Sequence, residues 1–183
     1  MKLKKLNLGC GTRIKEGYVN LDIVKHKGVD VVHNLNKFPY PFKKNYFDEI
    51  YARNILEHLD GLVRVMKELH RILKPRGKLI IEVPYQTIIH TWASFQHKRA
   101  FTLRTFDGFA KNTKQKYGLN VKNEEYNLGF AFSRIKRRLY FPRGLHLESY
   151  ILEPIFNLIP KIYEETFLRY LFPAFSIIIE FIK

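Results

Sequence analysis

The stretch LNLGCGTRIKEGYVNLDI, residues 6–23, places two glycines between two short apolar runs, and the second run ends at an acid. Residues 3–8 and 18–23 have the apolar content of β-strands, so Gly9 and Gly11 lie in the turn that leaves the first strand. Glycines followed by an acid suit a nucleotide-like ligand, but two glycines after a strand are also a common plain turn. The stretch alone leaves both interpretations open.

Two phosphate-binding motifs are excluded by the residues after the glycines. The dinucleotide fingerprint G-x-G-x-x-G needs a third glycine where Ile14 stands, and its acid follows by about 20 positions, whereas Asp22 comes eleven after Gly11. The lysine and hydroxyl of a P-loop are also absent from TRIKEG, residues 12–17. S-adenosylmethionine, a smaller ligand without phosphate, fits better, because a carboxylate can accept both hydroxyl hydrogens of its ribose.

Composition predicts one folded domain over residues 1–183. Hydrophobic residues make up 46% of the chain and charged residues 27%, a balance that supports a real core. The only cysteine, Cys10, leaves no internal disulfide, so we expect a cytoplasmic protein. The N-terminus lacks the apolar core of a signal peptide, and the apolar stretch at residues 170–179 is shorter than the roughly 20 residues of a membrane helix.

Much of the net charge of +15 comes from one region, residues 98–143. It contains twelve Lys and Arg and only three acids, which are Asp107, Glu124 and Glu125. Such a concentration favours an anionic partner, which could be a nucleic acid, an anionic lipid or a phosphorylated substrate. A solvated basic face explains the same charges equally well.

Short β-rich runs joined by helical periodicity predict an α/β domain with a mostly parallel sheet. Apolar spacing predicts a helix that begins with Asp60 as its N-cap and ends at Lys74-Pro75. In the second half, residues 102–112 favour a helix. Helices interrupted by Pro154 and Pro160 are expected over residues 147–172. Strands are expected over residues 29–35, 46–52, 78–85 and 175–182, with one or two more over 126–141.

The order of these motifs resembles the class I S-adenosylmethionine-dependent methyltransferases, in the methyltransferase type 11-like branch with a short first helix. The resemblance covers residues 5–85 and extends more weakly to HKRAFT, 97–102, and PAFSIIIEF, 173–181. It implies a Rossmann-like three-layer sandwich with a predominantly parallel seven-stranded sheet whose last strand is antiparallel. Residues 1–85 would form the cofactor-binding half, and residues 86–183 the substrate-side half with the closing strands. The segments that carry the resemblance are LNLGCG, GYVNLDI, VDVVHNL, FPYPFKKNYFDEIYARNILEHL and VMKELHRILKPRGKLIIEVP.

The resemblance also implies which residues hold the cofactor, S-adenosyl-L-methionine. Gly9 and Gly11 would lie against its methionine and ribose, and Asp22 would hold the ribose hydroxyls. Asn34 stands where relatives often have an aspartate that bonds the adenine amino group, and an amide can accept the same hydrogen bond. The implied cofactor-binding set is Leu8, Gly9, Cys10, Gly11, Asp22, Asn34, Leu35, Arg53, Asn54, Leu56 and His58.

Candidate catalytic residues come from groups that can exchange protons. His58 and its neighbour Glu57 are residue types that serve as general bases, although hydrogen bonding at a helix start is the favoured role for both. The catalytic candidates are His97, His58 and Tyr85, and the substrate-contact candidates are Tyr85, Trp92, His97, Lys98 and Arg99. No metal site is predicted, because His90 and His97 with His58 or His146 match no zinc spacing and no cysteine pair exists.

The reaction implied is methyl transfer to an oxygen, nitrogen or carbon, in which the protein mainly aligns donor and acceptor and excludes water. Three hypotheses follow. The first is a methyltransferase acting on a small molecule, a glycan or a lipid precursor. The second is an RNA or other nucleic-acid methyltransferase that uses the basic residues 98–143, and the third is a non-catalytic binding protein that retains the fold.

Overall fold

A seven-stranded sheet forms the centre of the computed structural model, which describes residues 3–111, 128–141 and 148–183. Its strands are β1 (Lys5–Leu8), β2 (Val19–Asp22), β3 (Val31–Val32), β4 (Phe47–Arg53), β5 (Leu73–Pro84), β6 (Arg134–Tyr140) and β7 (Ser176–Ile182). The helices are α1 (Leu62–Ile72), α2 (Ile89–Ala93), α3 (Glu148–Leu158), α4 (Pro160–Glu165) and α5 (Leu168–Leu171). Two short 3₁₀ turns cover Leu56–His58 and Asp107–Phe109.

The strand order is β3-β2-β1-β4-β5-β7-β6. Strands β1 to β5 run parallel to one another, and β7 is antiparallel to both β5 and β6. The predicted α/β fold with a mostly parallel sheet and an antiparallel last strand is therefore confirmed. In open sheets of this kind, ligands bind beyond the carboxyl ends of the strands where the order reverses, which here lies between β1 and β4.

Burial explains why the strands form. Leu6, Leu8, Ile50, Leu79 and Ile81 are all fully buried, as expected for strands covered on both faces. The connection from β1 to β2, residues 9–18, contains no helix, although a parallel connection is usually a helical crossover of a dozen residues or more. The short first helix implied by the resemblance is thus a loop, and this loop lies at the carboxyl end of β1.

The start of α1 differs from the prediction. Gly61, with φ of 57°, precedes the helix, and no side chain caps it, so the prediction of Asp60 as N-cap is wrong. The Asp60 carboxylate instead accepts a hydrogen bond from the Lys98 ammonium at 2.6 Å. The end of α1 is close to the prediction of a stop at Lys74-Pro75. The helix stops at Ile72, and the chain passes directly into β5, which includes Lys74 and Pro75.

In the second half, tertiary contacts override two local predictions. The helix predicted over 102–112 is only a 3₁₀ turn at Asp107–Phe109. The Leu103 N–H, near the start of this segment, donates to the distant Glu164 carboxylate at 2.8 Å. Pro154 lies inside α3 and does not interrupt it. Asn157, one turn later, bonds both backbone groups of Leu139 in β6 and holds the helix in place.

Other boundaries shift by a few residues. Pro160 begins α4, as predicted, and the strand predicted over 29–35 shrinks to Val31–Val32. One strand, β6, forms within 126–141, while residues 112, 126, 127 and 147 of the predicted elements lie outside the described residues. Within the described ranges, no helix is long and apolar enough to cross a membrane.

Candidate functional site

A cleft of about 490 Å³ opens at the carboxyl ends of β1 and β4, and we call it the glycine cleft. Five residues of the predicted cofactor set line it, namely Gly9, Cys10, Gly11, Arg53 and Asn54. Sequence reasoning missed six further lining residues, which are Asn7, Thr12, Arg13, Ile14, Lys15 and Tyr51. Most of these belong to the loop between β1 and β2, whose course no local pattern reveals.

The two glycines of the cleft have different surroundings. Gly9 has a φ of 62°, and a Cβ built on it would lie 2.4 Å from the Ile55 Cγ1, so this position is closed by packing. Gly11 has a φ of 50°, and among the described residues nothing lies within 4 Å of a Cβ built there. Gly11 therefore presents bare backbone to open space, which suits the close approach of a ligand.

Asp22 is held beside Gly11 by two backbone hydrogen bonds. Its Oδ2 accepts the Gly11 N–H at 2.7 Å, and its Oδ1 accepts the Val24 N–H at 3.1 Å. A carboxylate has about four acceptor sites, so capacity remains for ligand hydroxyls. Neighbouring Cys10 is buried, and burial followed by the charge of Asp22 raises the pKa of its thiol, which keeps it protonated.

A buried asparagine pair holds the loop of the cleft. The Asn7 amide donates to the Asn20 Oδ1 and to the Arg13 carbonyl, both at 2.9 Å, and Asn20 Oδ1 also accepts the Lys15 N–H at 2.9 Å. Asn7 and Asn20 face each other across β1 and β2. The signal for this pair is one asparagine inside each of two apolar runs, LNL and VNLD, which sequence reasoning left unused.

The floor of the cleft is fixed by β5. Arg53 Nε lies 3.2 Å from the Glu82 Oε1, and the Tyr51 hydroxyl donates to the Glu82 Oε2 at 3.1 Å. Asn54, in the left-handed region with φ of 50°, donates its N–H to the Glu82 carbonyl at 2.9 Å. These bonds turn the chain sharply after β4.

The other members of the predicted cofactor set are not part of the lining of the cleft, and of these Asp22 lies directly beside it through its bond to Gly11. Leu8, Leu35 and Leu56 are buried in the core. The Asn34 Oδ1 accepts the Asn36 N–H at 2.9 Å and so shapes its own turn.

His58 and His97, two of the catalytic candidates, are brought together outside the glycine cleft. Their ring centroids lie 4.8 Å apart, and possible ligand atoms of Glu57, His58 and His97 all lie within 4.8 Å of one another. Glu57 is 1% exposed, and this burial raises the pKa of its carboxyl to about 7. Burial, with the nearby charges of His97 and Lys98, lowers the pKa of His58.

The remaining substrate candidates are spread over the surface and the core. Tyr85 is fully buried against Tyr163, with ring centroids 5.9 Å apart, and burial raises the pKa of its phenol. Trp92 is 70% exposed and donates its indole N–H to the Gln86 carbonyl at 2.7 Å. His90 is exposed with its ring against Phe175, whereas His146 lies outside the described residues.

Lys98 and Arg99 tie their segment to the turn after β4. The Lys98 N–H donates to the Glu57 carbonyl at 2.8 Å, and Arg99 Nη2 donates to the Leu59 carbonyl at 2.8 Å. These bonds hold His97 beside His58.

Several cations of the basic region are already paired with acids. Lys98 pairs with Asp60, Arg104 with Glu164 and Glu165, Arg137 with Asp107, and Arg138 with Glu153. Residues 112–127, 142 and 143 of this region lie outside the described residues. In the described part, much of the positive charge is therefore engaged within the protein.

Comparison with known proteins finds similarity to methyltransferases in sequence and in fold. Residues 19–81 match the family model described as a methyltransferase domain. A crystal structure of a SAM dependent methyltransferase from Archaeoglobus fulgidus superposes with a TM-score of 0.63, covering 99% of this chain and 86% of that chain at 18% identity. Both matches agree with the class I methyltransferase resemblance of the sequence: residues 19–81 match the domain model, and the structural likeness shows the same fold.

Two curated relatives match shorter segments. Phosphoethanolamine N-methyltransferase 2 of Caenorhabditis elegans is 26% identical over 113 residues, which are 60% of this chain and 24% of that protein. A sterol 4-C-methyltransferase of the same organism is 46% identical over 41 residues, which are 22% of this chain and 12% of that protein. The matches span between 3% and 24% of the length of the curated relatives.

Proposed function

We propose that the chain binds S-adenosylmethionine in the glycine cleft and transfers its methyl group to a small acceptor, namely a small molecule, a glycan or a lipid precursor. The observation that carries the proposal is the pairing of Asp22 with Gly11. A carboxylate fixed by two backbone N–H groups stands beside an open glycine, at the sheet edge where class I methyltransferases and other open α/β folds place their ligands.

The residues in and beside the cleft fit the chemical groups of this cofactor. The free acceptor sites of Asp22 suit two ribose hydroxyls, and the exposed backbone of Gly11 leaves room for the sugar. Arg13, Lys15 and Arg53 give the cleft a positive character that suits the carboxylate of the methionine part. Its volume of about 490 Å³ is in the usual range for a small-molecule site.

The catalytic work assigned to the chain is orientation and exclusion of water. The bound sulfonium supplies an already activated methyl group, so the protein needs no nucleophile of its own. The asparagine pair and the bonds to Glu82 hold the loop and floor of the cleft in one arrangement before ligand arrives. A general base is needed only where the acceptor carries a proton that must leave.

Two observations support a small acceptor over a nucleic acid. The names of the matched relatives refer to phosphoethanolamine and a sterol, which are both small molecules. The basic region, which would have to bind phosphates, has at least four of its cations paired with acids.

The first test is calorimetry of S-adenosylmethionine binding. Asp22→Ala should weaken binding at least tenfold, or about 1.4 kcal/mol, because the ribose hydroxyls lose their acceptor. Asp22→Asn, which keeps the size of the side chain, should also weaken it. Glu16→Ala is the matched control, since Glu16 is an exposed acid in the same loop, and its affinity should match the unchanged chain. Equal affinity in both Asp22 variants would exclude this ribose assignment.

The same titration separates an enzyme from a binding protein that only retains the fold. A folded sample that binds no S-adenosylmethionine would favour the non-catalytic hypothesis. For a chain that does bind, radiolabelled methyl transfer to metabolite, lipid and RNA fractions identifies the acceptor class. Label in the RNA fraction alone would contradict a small acceptor.

A further inference from the structure

We propose that Glu57, His58 and His97 form a binding site for a divalent metal ion of the zinc type. The three residues come from the 3₁₀ turn after β4 and from the segment that follows α2. The proposal concerns metal binding and does not depend on the proposed methyl transfer.

Glu57 supplies the first observation. Its side chain is 1% exposed, and its Oε2 has no hydrogen-bond partner among the residues that the structure describes. Buried carboxylates are almost always paired with hydrogen-bond donors or metals, because an unpartnered one is costly. An ion beside this oxygen would supply the missing partner.

The two histidines supply the second observation. The Nδ1 of His58 lies 3.3 Å from the Gln96 carbonyl, and the Nδ1 of His97 lies 3.0 Å from the Thr91 carbonyl. A carbonyl oxygen only accepts, so each Nδ1 carries the proton and each Nε2 keeps a free lone pair. Metal-binding histidines show this same arrangement, in which the second ring nitrogen donates to a backbone carbonyl.

The distances allow closure around one ion. The candidate ligand atoms lie within 4.8 Å of one another, whereas ligand atoms at about 2.0–2.1 Å from Zn²⁺ in a tetrahedron lie about 3.3 Å apart. Side-chain rotation would have to close this difference. The bond between the Lys98 N–H and the Glu57 carbonyl already holds the two segments together. Both histidines are only partly buried, so a fourth position is open to solvent.

The chemistry of the three ligands selects the ion. Two imidazoles and one carboxylate are a known zinc set that leaves one coordination position for water or another ligand. Imidazole nitrogen is a poor match for Mg²⁺, which prefers oxygen ligands in an octahedron. The sequence does not show the site, because His97 is distant in the chain from Glu57 and His58 and no zinc spacing joins them.

The test uses the whole chain after treatment with a chelator and removal of that chelator. Titration with Zn²⁺ in a calorimeter should show one ion per chain, and Zn²⁺ should raise the melting temperature by binding the folded state. The unchanged chain should bind Mg²⁺ far more weakly. Stronger binding of Mg²⁺ than of Zn²⁺, or no stoichiometric Zn²⁺ binding by the folded chain, would overturn the proposal.

Variants assign the ion to this cluster. His97→Ala and Glu57→Gln should each weaken Zn²⁺ binding at least tenfold, and circular dichroism should show that each variant is folded. His97→Gln provides a second variant that retains bulk if His97→Ala does not fold. His90→Ala is the matched control, since His90 is an exposed histidine outside the cluster, and its affinity should not change. Unchanged Zn²⁺ affinity in folded His97 and Glu57 variants would place the ion elsewhere and refute the proposal.

Discussion

At the scale of single residues, Gly9 and Gly11 share a left-handed backbone and serve different purposes. The sequence predicts a glycine turn at this place, and it indicates close approach of a ligand at both positions. The structure puts Ile55, from the turn after β4, directly against Gly9 and leaves Gly11 open. Contacts between distant segments decide which glycine is for packing, so the local pattern GCG could not distinguish them.

This difference predicts unequal effects of two alanine substitutions. Gly9→Ala should lower the free energy of unfolding by about 2–4 kcal/mol, since it adds backbone strain at positive φ to a clash with Ile55. Gly11→Ala should cost only about 1 kcal/mol, from backbone strain alone. Urea unfolding measures both values.

A second substitution tests the cause of the larger loss. Ile55→Ala removes the two nearest atoms that a Cβ at position 9 would meet, Cγ1 and Cδ1, and keeps only the Ile55 Cβ at 2.9 Å. The pair Gly9→Ala with Ile55→Ala should therefore lose less stability than the sum of the two single changes. If the losses of unfolding free energy simply add, the contact with Ile55 is not the cause of the larger loss in Gly9→Ala. Equal losses in Gly9→Ala and Gly11→Ala would contradict the unequal surroundings.

At the scale of elements, α1 shows what periodicity can and cannot predict. Its buried residues Val65, Met66 and Leu69 follow the helical spacing of the sequence. This face is predictable because the period of a helix determines which of its own residues point to the core. The prediction of Asp60 as its N-cap is wrong, and Asp60 instead pairs with Lys98 from a distant segment. The same limit applies to the site, where Gly11 and Asp22 are visible in sequence and the approach of His97 to Glu57 is not.

A histidine on α1 gives this element a pH-dependent contribution to stability. The His70 ring lies against Phe130 and Phe132, with centroids 5.4 and 5.1 Å away. Burial, together with the charges of Lys183, Lys111 and Lys44, lowers the pKa of His70 from 6.5 to about 4, although a hydrogen bond to the Ala131 backbone acts in the opposite direction. The folded chain therefore resists protonating this ring.

The sign of the effect follows from the two pKa values. Between pH 6.5 and about 4 the unfolded chain binds a proton at His70 that the folded chain does not. The contribution of the neutral ring to the free energy of unfolding is therefore fully present above pH 6.5 and is lost as the pH falls toward 4. The loss is of the order of 1–3 kcal/mol. His70→Gln should flatten this part of the dependence of unfolding free energy on pH, measured by urea unfolding at several pH values. His26→Gln, at an exposed histidine, should leave the slope unchanged. An unchanged slope in His70→Gln would show that the ring titrates normally.

At the scale of the whole molecule, the net charge is readable from the sequence and its distribution is not. The chain carries +15, with most of the local excess in residues 98–143. The structure pairs Arg104 with Glu164 and Arg137 with Asp107, and these partners are separated by long stretches of chain. Counting charges therefore predicts an anionic partner more strongly than the folded surface supports.

Salt dependence of RNA binding tests this conclusion. Each phosphate contact to a single strand contributes about −0.7 to the slope of log K against log salt concentration, and cations already paired with protein acids release few counterions. A fluorescent single-stranded RNA in an anisotropy titration should therefore give a slope no steeper than about −2, which corresponds to about three phosphates. Lys136→Gln removes one exposed cation of the region and should change the slope by no more than about 0.7.

A slope of about −4 or steeper would mean about six phosphate contacts. That result would require the ion pairs to open or residues 112–127 and 142–147 to carry the binding, and it would restore the nucleic-acid hypothesis.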